Sequence, residues 1–436
     1  MAKQIVIPKP TKVPHNWCWI ELGKLTSMKS GFPFDSKRFT RSKSANARPL
    51  IRIRDVVNGA TETYTDQECP KEYVIKKGEI LIGMDGDFNV GKWQSEDALL
   101  NQRVCCIQSC SSLYLDDFLF YYLPDPLKKI NDATPSVTVK HLSTKTLAIT
   151  PVPVPPLPEQ QRIVDRIESL FAKLDEAKQK AQDALGSFET RKAAILHKAF
   201  TGELTAQWRK EHGVGIESWN TRKLSEVSTL QTGLMKGKNY SGKTVMLPYL
   251  RVSNVQDGFL NLSEIKEIEV SEGLIDRYSL KNGDVLFTEG GDYDKLGRGT
   301  VWQGQIKNCL HQNHVFVVRP QADVLSPYFL SYQAGSRYGK QYFLKCSKQT
   351  TNLASINSTQ LKGFPVLMPT IEEQAQIVLL VDNLLAKERQ AKEAAERVLE
   401  QIDLIKKAIL ARAFRGELGT NDPTEESALE LLKKSI

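Results

Sequence analysis

The chain contains no apolar run long enough to span a membrane. Its opening, MAKQIVIPKPTKVPHNW, is polar and proline-rich, with no charged segment leading into an apolar one. Together these absences predict a cytoplasmic protein with no membrane contact. Cysteine is scarce: Cys18, Cys69, Cys105, Cys106, Cys110, Cys309 and Cys346 make an odd count of seven with no CxxC spacing. That excludes a disulfide framework and a cysteine-rich metal site, and predicts reduced, mostly buried thiols. Catalytic signatures are missing too: there is no Asn-Pro-Pro-aromatic motif, no glycine-rich cofactor loop, and no recognisable Ser/His/Asp or Cys/His grouping. The sequence therefore predicts a chain without catalytic apparatus. At 436 residues it is too long for one ordinary core, so two or more domains are expected. Its net charge of +8 is a mild basic excess that favours a polyanionic partner.

What the chain does have is a repetition. Pro158-Glu159-Gln160-Gln161-Arg162-Ile163-Val164 is echoed by Glu372-Glu373-Gln374-Ala375-Gln376-Ile377-Val378, and Ala199-Phe200-Thr201-Gly202-Glu203-Leu204 by Ala413-Phe414-Arg415-Gly416-Glu417-Leu418. The offset is 214 at both ends (377 minus 163, 414 minus 200), so no insertion interrupts the segment. Duplication on this scale places two similar surfaces in one chain, which suits a bipartite target. The copies open at Trp17 with Leu22 and Leu25, and at Trp219 with Leu224 and Val227. Between opening and closing segments only landmarks survive. Pro49 to Ile53 matches Pro248 to Val252, Gly78 to Leu81 matches Gly283 to Leu286, and Asn101 to Val104 matches His311 to His314. Short β-rich runs bounded by Gly, Asn and Asp, with helix starts near Leu119 and Tyr328, predict a compact α+β domain in each copy.

The closing segments read as long helices. Ile163, Ile167, Leu170, Leu174, Ala177, Ala181, Leu185 and Phe188 recur in steps of three and four. Their partners are Ile377, Val381, Leu384, Ala391, Ala395, Leu399 and Ile402, with Glu388 standing where Leu174 stands in the first copy. Pro158 suits a first helical turn, Thr370 with Glu373 predicts a capping box, and Gly202 and Gly416 are natural stops. A continuous helix over residues 159–201 would be about 60 Å long. Chain order plus a shared seam predicts an antiparallel pair. Each seam outlasts any face a small domain could cover, which disfavours separate packing of each helix on its own domain.

Several motifs invite chemistry and fail on context. Gly237-x-x-x-x-Gly242-Lys243-Thr244 matches the phosphate-loop pattern, but a strand-like run comes after it and no buried strand precedes it. A basic loop beside a polyanion is the reading adopted. Asp292-x-Asp294-x-x-Gly297 lacks calcium ligands at Leu296 and Gln303, and Glu264-Ile265-Lys266 has no counterpart in the first copy. Glycine loops in both copies, with neighbouring amide- and base-rich turns, supply the candidate DNA contacts. These are Asn89, Lys92, Gln102, Arg103, Lys140, His141, Lys243, Tyr293, Lys295, Arg298, Gln312, Asn313, His314, Lys348, Gln349, Thr350 and Asn352. Such side chains make bidentate contacts to adenine or guanine and bind phosphates. A hairpin turn held by Gly and Asp is the structural alternative at each position.

Trp17 with Leu22 to Leu25, the run Val152 to Gln161, and Ala199-Phe200-x-Gly202-Glu203-Leu204 resemble the specificity subunit of type I restriction-modification enzymes. Phe364-Pro365-Val366 to Gln374 and Ala413-Phe414-x-Gly416-Glu417-Leu418 agree. The resemblance covers nearly the whole chain and is specific in the helices. It implies an α+β protein of two α/β target-recognition domains separated by two long antiparallel coiled-coil helices, with pseudo-two-fold symmetry. The expected boundaries are residues 1–157, helix 158–204, residues 205–370, helix 371–418, and a tail over 419–436 with a short helix. It further implies that each domain binds one half of a bipartite site on double-stranded DNA, while the helices set the spacing and dock two methyltransferase subunits. S-adenosylmethionine, ATP and magnesium would sit on partner subunits, with restriction and motor subunits joining that core. A coiled-coil adaptor without a DNA role and a self-sufficient methyltransferase or nuclease are the competing classes.

Overall fold

The structure, a computed structural model, describes residues 11–44, 46–134, 139–237, 242–291, 296–297, 299–349 and 354–435. The chain divides into two compact units, Met1–Lys180 with Val398–Ile436, and Ala181–Arg397. Both boundaries fall inside the long helices, so each unit takes a recognition domain together with part of each helix.

In unit 1, β1 (Thr26–Ser30), β2 (Ile80–Gly83), β3 (Val90–Lys92) and β4 (Val104–Ser109) form an antiparallel sheet in the order β1-β4-β2-β3. Strand geometry sends alternate side chains to opposite faces. Ile80, Ile82, Cys105 and Ile107 therefore enter one core with Trp17, Phe118, Ile163, Ile167 and Phe414. Leu81, Val104 and Cys106 enter a second core with Ile51, Val56 and Trp93. A sheet covered on both faces explains why these strands read as unbroken apolar runs. Cys18–Glu21 pairs antiparallel with Pro151–Val154, so the domain's first and last strands are neighbours.

Unit 2 repeats the plan. Its strands β5 (Ser228–Gln231), β6 (Val285–Thr288), β7 (Gly299–Val301) and β8 (Val315–Pro320) are ordered β5-β8-β6-β7. Val285 and Phe287 face the helix-side core and Leu286 the other. Asn220–Lys223 pairs with Pro365–Met368, again joining the first and last strands.

The backbone corrects one landmark. Ile51 pairs with Leu100 in unit 1 and Leu250 with His311 in unit 2, both in parallel register. Asn101 therefore corresponds to Gln312, Gln102 to Asn313 and Arg103 to His314, one residue from the sequence match. Matching bonds from Val104 N–H to Asn101 O and from Val315 N–H to Gln312 O, each 2.8 Å, fix the same register. The shared amide and basic residues misled the alignment, whereas a one-residue slip would have turned every buried side chain to the wrong face. His311 takes the place of a core leucine. It is buried, its Nδ1 lies 2.7 Å from Val315 O, and burial pushes its pKa down to about 4.

The first closing segment is two helices rather than one continuous helix: α1 (Leu157–Gly186) and α2 (Phe188–Phe200) meet at Ser187. Ser187 Oγ donates to Asp183 O at 2.8 Å, and Arg191 Nη2 donates to Ala184 O at 3.1 Å. A Gly-Ser pair with side chains drawn onto the helix carbonyls is a recognised cause of a break. The second segment, α3 (Ile371–Ala413), has Glu400 and Gln401 at the equivalent positions and runs unbroken for 43 residues.

Along the expected seam Ile163, Ile167, Ala181, Ile377, Val381, Ala395 and Ile402 are buried. Leu170, Leu174, Ala177, Leu185, Phe188, Leu384 and Leu399 are half-buried, and Ala391 is exposed, contrary to expectation. Leu385, rather than its neighbour Leu384, joins the core of unit 2. Glu388, the polar intruder, accepts from Arg191 Nε at 2.7 Å, so a cation of the facing helix answers it. Within unit 2, Lys392 also lies 5.1 Å over the Phe188 ring. Within unit 1, Lys406 meets Asp175 at 2.5 Å, while Arg162, earlier on α1, reaches Glu425 beyond the end of α3. Early residues of one helix thus meet late residues of the other, and the segments are antiparallel inside each unit. The tail forms the helix Ala428–Ser435, anchored by buried Ala428 with its N–H 3.0 Å from Asn16 O.

Candidate nucleic-acid interface

In each unit the turn before the last sheet strand is held by a glycine. Gly31 N–H donates to Val104 O at 3.0 Å, and a Cβ there would stand 2.1 Å from Asn101 O. The equivalent Cβ on Gly233 would stand 2.2 Å from His311 O. Backbone cannot yield as a flexible side chain can, so Gly31→Ala is expected to cost unit 1 about 1–3 kcal/mol. Gly233→Ala should cost unit 2 a similar amount. Hydrogen exchange resolved by unit checks this; losses spread evenly over both units would refute it.

The turns carry Gln102 and Arg103 in unit 1 and Asn313 and His314 in unit 2. Asp85, two residues beyond β2, receives Arg103 Nη1 at 3.3 Å on Oδ2 and His141 Nδ1 at 2.6 Å on Oδ1. These three residues, well separated in sequence, are gathered by one backbone bridge, Asp85 to His141, and by the sheet. In unit 2 Gly290 takes Asp85's position in the strand register. Glu289, one residue earlier, pairs with His314 Nδ1, and Asn313 Nδ2 lies 3.4 Å from His314 Nε2. Lys348 is exposed on the short strand Lys348–Gln349, which pairs with Ala354–Ser355 beside Gly290–Gly291.

The remaining candidates separate. Asn89 is exposed in the turn between β2 and β3, and Lys243 is exposed just before the strand Thr244–Leu250. Lys92 is engaged internally, paired with Asp117 and 4.8 Å over the Phe120 ring. Lys140 is likewise engaged, donating to Asn131 O at 2.6 Å and Asn131 Oδ1 at 3.0 Å. Tyr293, Lys295, Arg298, Thr350 and Asn352 lie outside the described residues, as does the side chain of Gln349.

The phosphate-loop match fails structurally as well, because Thr244 opens a strand and its Oγ1 donates to Glu269 at 2.7 Å. Glu264 and Lys266 pair with each other at 3.5 Å, and Glu264 also takes Arg251 at 3.4 Å, a surface ion network. Among the described residues, no three His, Cys, Asp or Glu gather as a metal site, and no helix is long and apolar enough to cross a membrane. The cysteines are less buried than expected. Cys105, Cys106 and Cys309 are buried, with thiol pKa values pushed up to about 12 mainly by desolvation, whereas Cys110 is exposed.

Sequence reading missed two features. One is a cavity of about 840 Å³ in unit 2, lined by Lys192, Lys340, Arg389 and Lys392 with Glu189, Asp257 and exposed Phe259; Asp257 pairs with Lys192 at 3.0 Å and Lys340 at 3.9 Å, which leaves a net basic excess. These cations come from three separate elements, so no charge run announces them. The other is the polar pair opening each long helix. Gln160 donates to Leu113 O and Pro155 O and accepts from Leu115 N–H; Gln374 makes the same three bonds to Val324 O, Pro369 O and Ser326 N–H. Beside them, Glu159 accepts from Trp17 Nε1 at 2.8 Å and Glu373 from Trp219 Nε1 at 2.9 Å. The predicted capping box is therefore half-formed. Thr370 Oγ1 accepts from Glu373 N–H at 3.3 Å, but the Glu373 carboxylate is committed to Trp219, Thr205 and Arg209.

Two grooves also recur at the 214 offset. Leu410, Ala411, Phe414 and Arg415 line one of about 400 Å³ in unit 1 with Trp19, Tyr121 and Lys128. Leu196, His197, Phe200 and Thr201 line one of about 340 Å³ in unit 2 with Arg337 and Tyr338.

The sequence matches the model of the type I restriction modification DNA specificity domain twice, over residues 14–185 and 216–400. It is 32% identical over 416 residues to the type I restriction enzyme EcoBI specificity subunit of Escherichia coli, spanning 92% of this chain and 86% of that one. To the EcoKI specificity subunit of Escherichia coli strain K12 it is 26% identical, spanning 93% and 90%. The fold matches the HsdS subunit from Thermoanaerobacter tengcongensis with a TM-score of 0.61 at 18% identity, covering 94% of this chain and 99% of that one. A chain solved in work on assembly of the type I R-M system matches with a TM-score of 0.64 at 19% identity, covering 94% and 100%. Two sheets of one topology, each followed by a copy of the repeated helix segment and each presenting its own turn, are thus accounted for: the chain belongs to the specificity subunits of type I restriction-modification enzymes.

Proposed function

We propose that the chain selects the DNA sequence on which partner subunits act, each unit binding one half of a bipartite site. Two units of one topology carry different side chains at the same positions, Arg103 against His314 and Gln102 against Asn313, and that combination carries the reading. Equal scaffolds with unequal tips suit two different half-sites. Asn89, Gln102, Arg103, His141, Lys243, Gln312, Asn313, His314 and Lys348 are the proposed contacts. Lys92 and Lys140 serve structure instead. The basic cavity around Lys340 and Arg389 is proposed to meet backbone phosphates.

The chain performs no chemistry in this reading. Two methyltransferase subunits would bring S-adenosylmethionine, and restriction and motor subunits would bring ATP and magnesium. The paired grooves at the ends of α2 and α3 support docking of one partner element twice, since four helix positions recur in both linings and two of them, Leu410 with Leu196 and Phe414 with Phe200, keep the same residue. The long helices would set the spacer between half-sites.

Exchange of residues 17–150 for those of another family member tests the modular reading. Because Cys18–Glu21 pairs with Pro151–Val154, an exchanged domain starts and ends at one place and leaves the sequence of α1 unchanged. Methylation mapping of cells carrying the chimera with its partner subunits should show one altered half-site and one unaltered. Alteration of both, or of neither, would contradict it.

A further inference from the structure

We propose that Arg103 reads a guanine in the half-site of unit 1 and Asn313 an adenine in that of unit 2, with Asp85 and Glu289 as the residues that position them. The inference rests on the DNA-selecting function proposed above and assigns its base contacts.

Both assignments follow from what each turn offers outward. A guanidinium is a rigid fork, and guanine's N7 and O6 in the major groove form the acceptor pair that fits it. Asp85 engages Arg103 through Nη1 at 3.3 Å, which leaves the edge made by Nε and Nη2 to meet a base. Asp85 itself is committed on both oxygens, because His141 occupies Oδ1 at 2.6 Å, and its side chain is 21% exposed against 58% for Arg103. A half-sunken carboxylate with both oxygens engaged holds its partner in one orientation, as a mobile surface pair does not.

Unit 2 reaches the same end by another route. Glu289 engages His314 through Nδ1, which leaves Nε2, 3.4 Å from Asn313 Nδ2, as the ring nitrogen that meets the amide. The chain of contacts Glu289–His314–Asn313 turns the amide nitrogen of Asn313 toward the ring. The amide oxygen and second N–H form the acceptor–donor pair that matches adenine N6 and N7. The carboxylate sits one residue earlier than in unit 1 and the residue it holds is histidine instead of arginine. The turn position is nevertheless held in both units. Two unlike solutions at one place point to a constraint on that place, which a turn needing only stability would not impose.

The test uses the chain assembled with its partner subunits and a library of bipartite duplexes varied at every half-site base. Wild type should require guanine at one position of one half-site and adenine at one position of the other. Arg103→Ala and Arg103→Lys should each relax the guanine position by on the order of 10- to 100-fold, leaving the other positions intact. Lysine keeps the charge and lacks the fork, so its preference should be weaker than wild type, and an Arg103→Ala variant that retained discrimination would mark Arg103 as a phosphate contact and overturn the assignment. Asp85→Asn should relax the same position more weakly, with Asp85→Glu restoring part of the preference. Asn313→Ala and Glu289→Gln should act in the same way at the adenine. Uniform weakening across all sequences, or an effect in the wrong half-site, would refute the roles. A wild-type complex without any sequence preference would instead remove the DNA-selecting function itself.

Discussion

Replacing Glu373 with alanine is expected to cost unit 2 about 3–5 kcal/mol, the loss typical of a buried ion pair deprived of one partner. Glu373 is fully buried, and its carboxylate accepts from Arg209 Nη1 at 2.6 Å, Thr205 Oγ1 at 2.7 Å and Trp219 Nε1 at 2.9 Å. Arg209 is itself buried and would keep Thr205 Oγ1 and Gly202 O as its hydrogen-bond acceptors among the described residues. The corresponding residue of unit 1 behaves differently. Glu159 is equally buried, but Trp17 and Asn421 both donate to Oε2, and Oε1 has no partner among the described residues. No arginine takes the place of Arg209, because Pro423 stands at the 214 offset.

Burial accordingly raises the Glu159 pKa above the ordinary carboxylate range. A folded-state pKa above the unfolded value means that the folded chain binds the extra proton. Its contribution to stability is therefore greatest in acid and declines as pH rises through the carboxylate range. Glu159→Gln should remove that slope and cost less than about 1 kcal/mol near neutrality, since the amide oxygen still accepts while the charge is gone. Hydrogen exchange resolved by unit, measured for both variants across pH, separates the two cases. Equal losses at the two sites, or a Glu159→Gln chain with the wild-type pH slope, would contradict the asymmetry.

Removing one heptad from each long helix is expected to shift the preferred spacer and abolish modification of the native site. Seven residues at 1.5 Å per residue shorten a helix by about 10 Å, or roughly three base pairs at 3.4 Å each. A whole heptad keeps the apolar stripe in phase. The two half-site sequences should be unchanged, because neither readout turn is touched. Methylation mapping would show the same half-sites at a shorter separation; an unchanged spacer would end the idea that the helices measure distance. Removing four residues instead should unseat the Arg191–Glu388 pair and lower stability, a control for loss of packing.

Much of this organisation was written in the residues. Repetition at a constant offset revealed two units, and steps of three and four along Ile163 to Phe188 revealed the long helices. Gly202 and Gly416 marked their ends, with φ of 79° and 73°. These are local or periodic properties, decided within a turn or two of the chain, so neighbouring residues suffice to read them. Packing of strands and helices against one another decided the rest. The register that sets Arg103 against His314, the answer of Arg191 to Glu388, and the meeting of Asp85, Arg103 and His141 depend on strands and helices far apart in sequence coming to lie side by side. Even Glu159 and Glu373, twins in the pattern, differ in charge balance, because the segment after one closing helix supplies Arg209 and the segment after the other supplies Pro423. A side chain's type and spacing fix what it can bond; which partner it finds is fixed by the packing of elements dozens or hundreds of residues away.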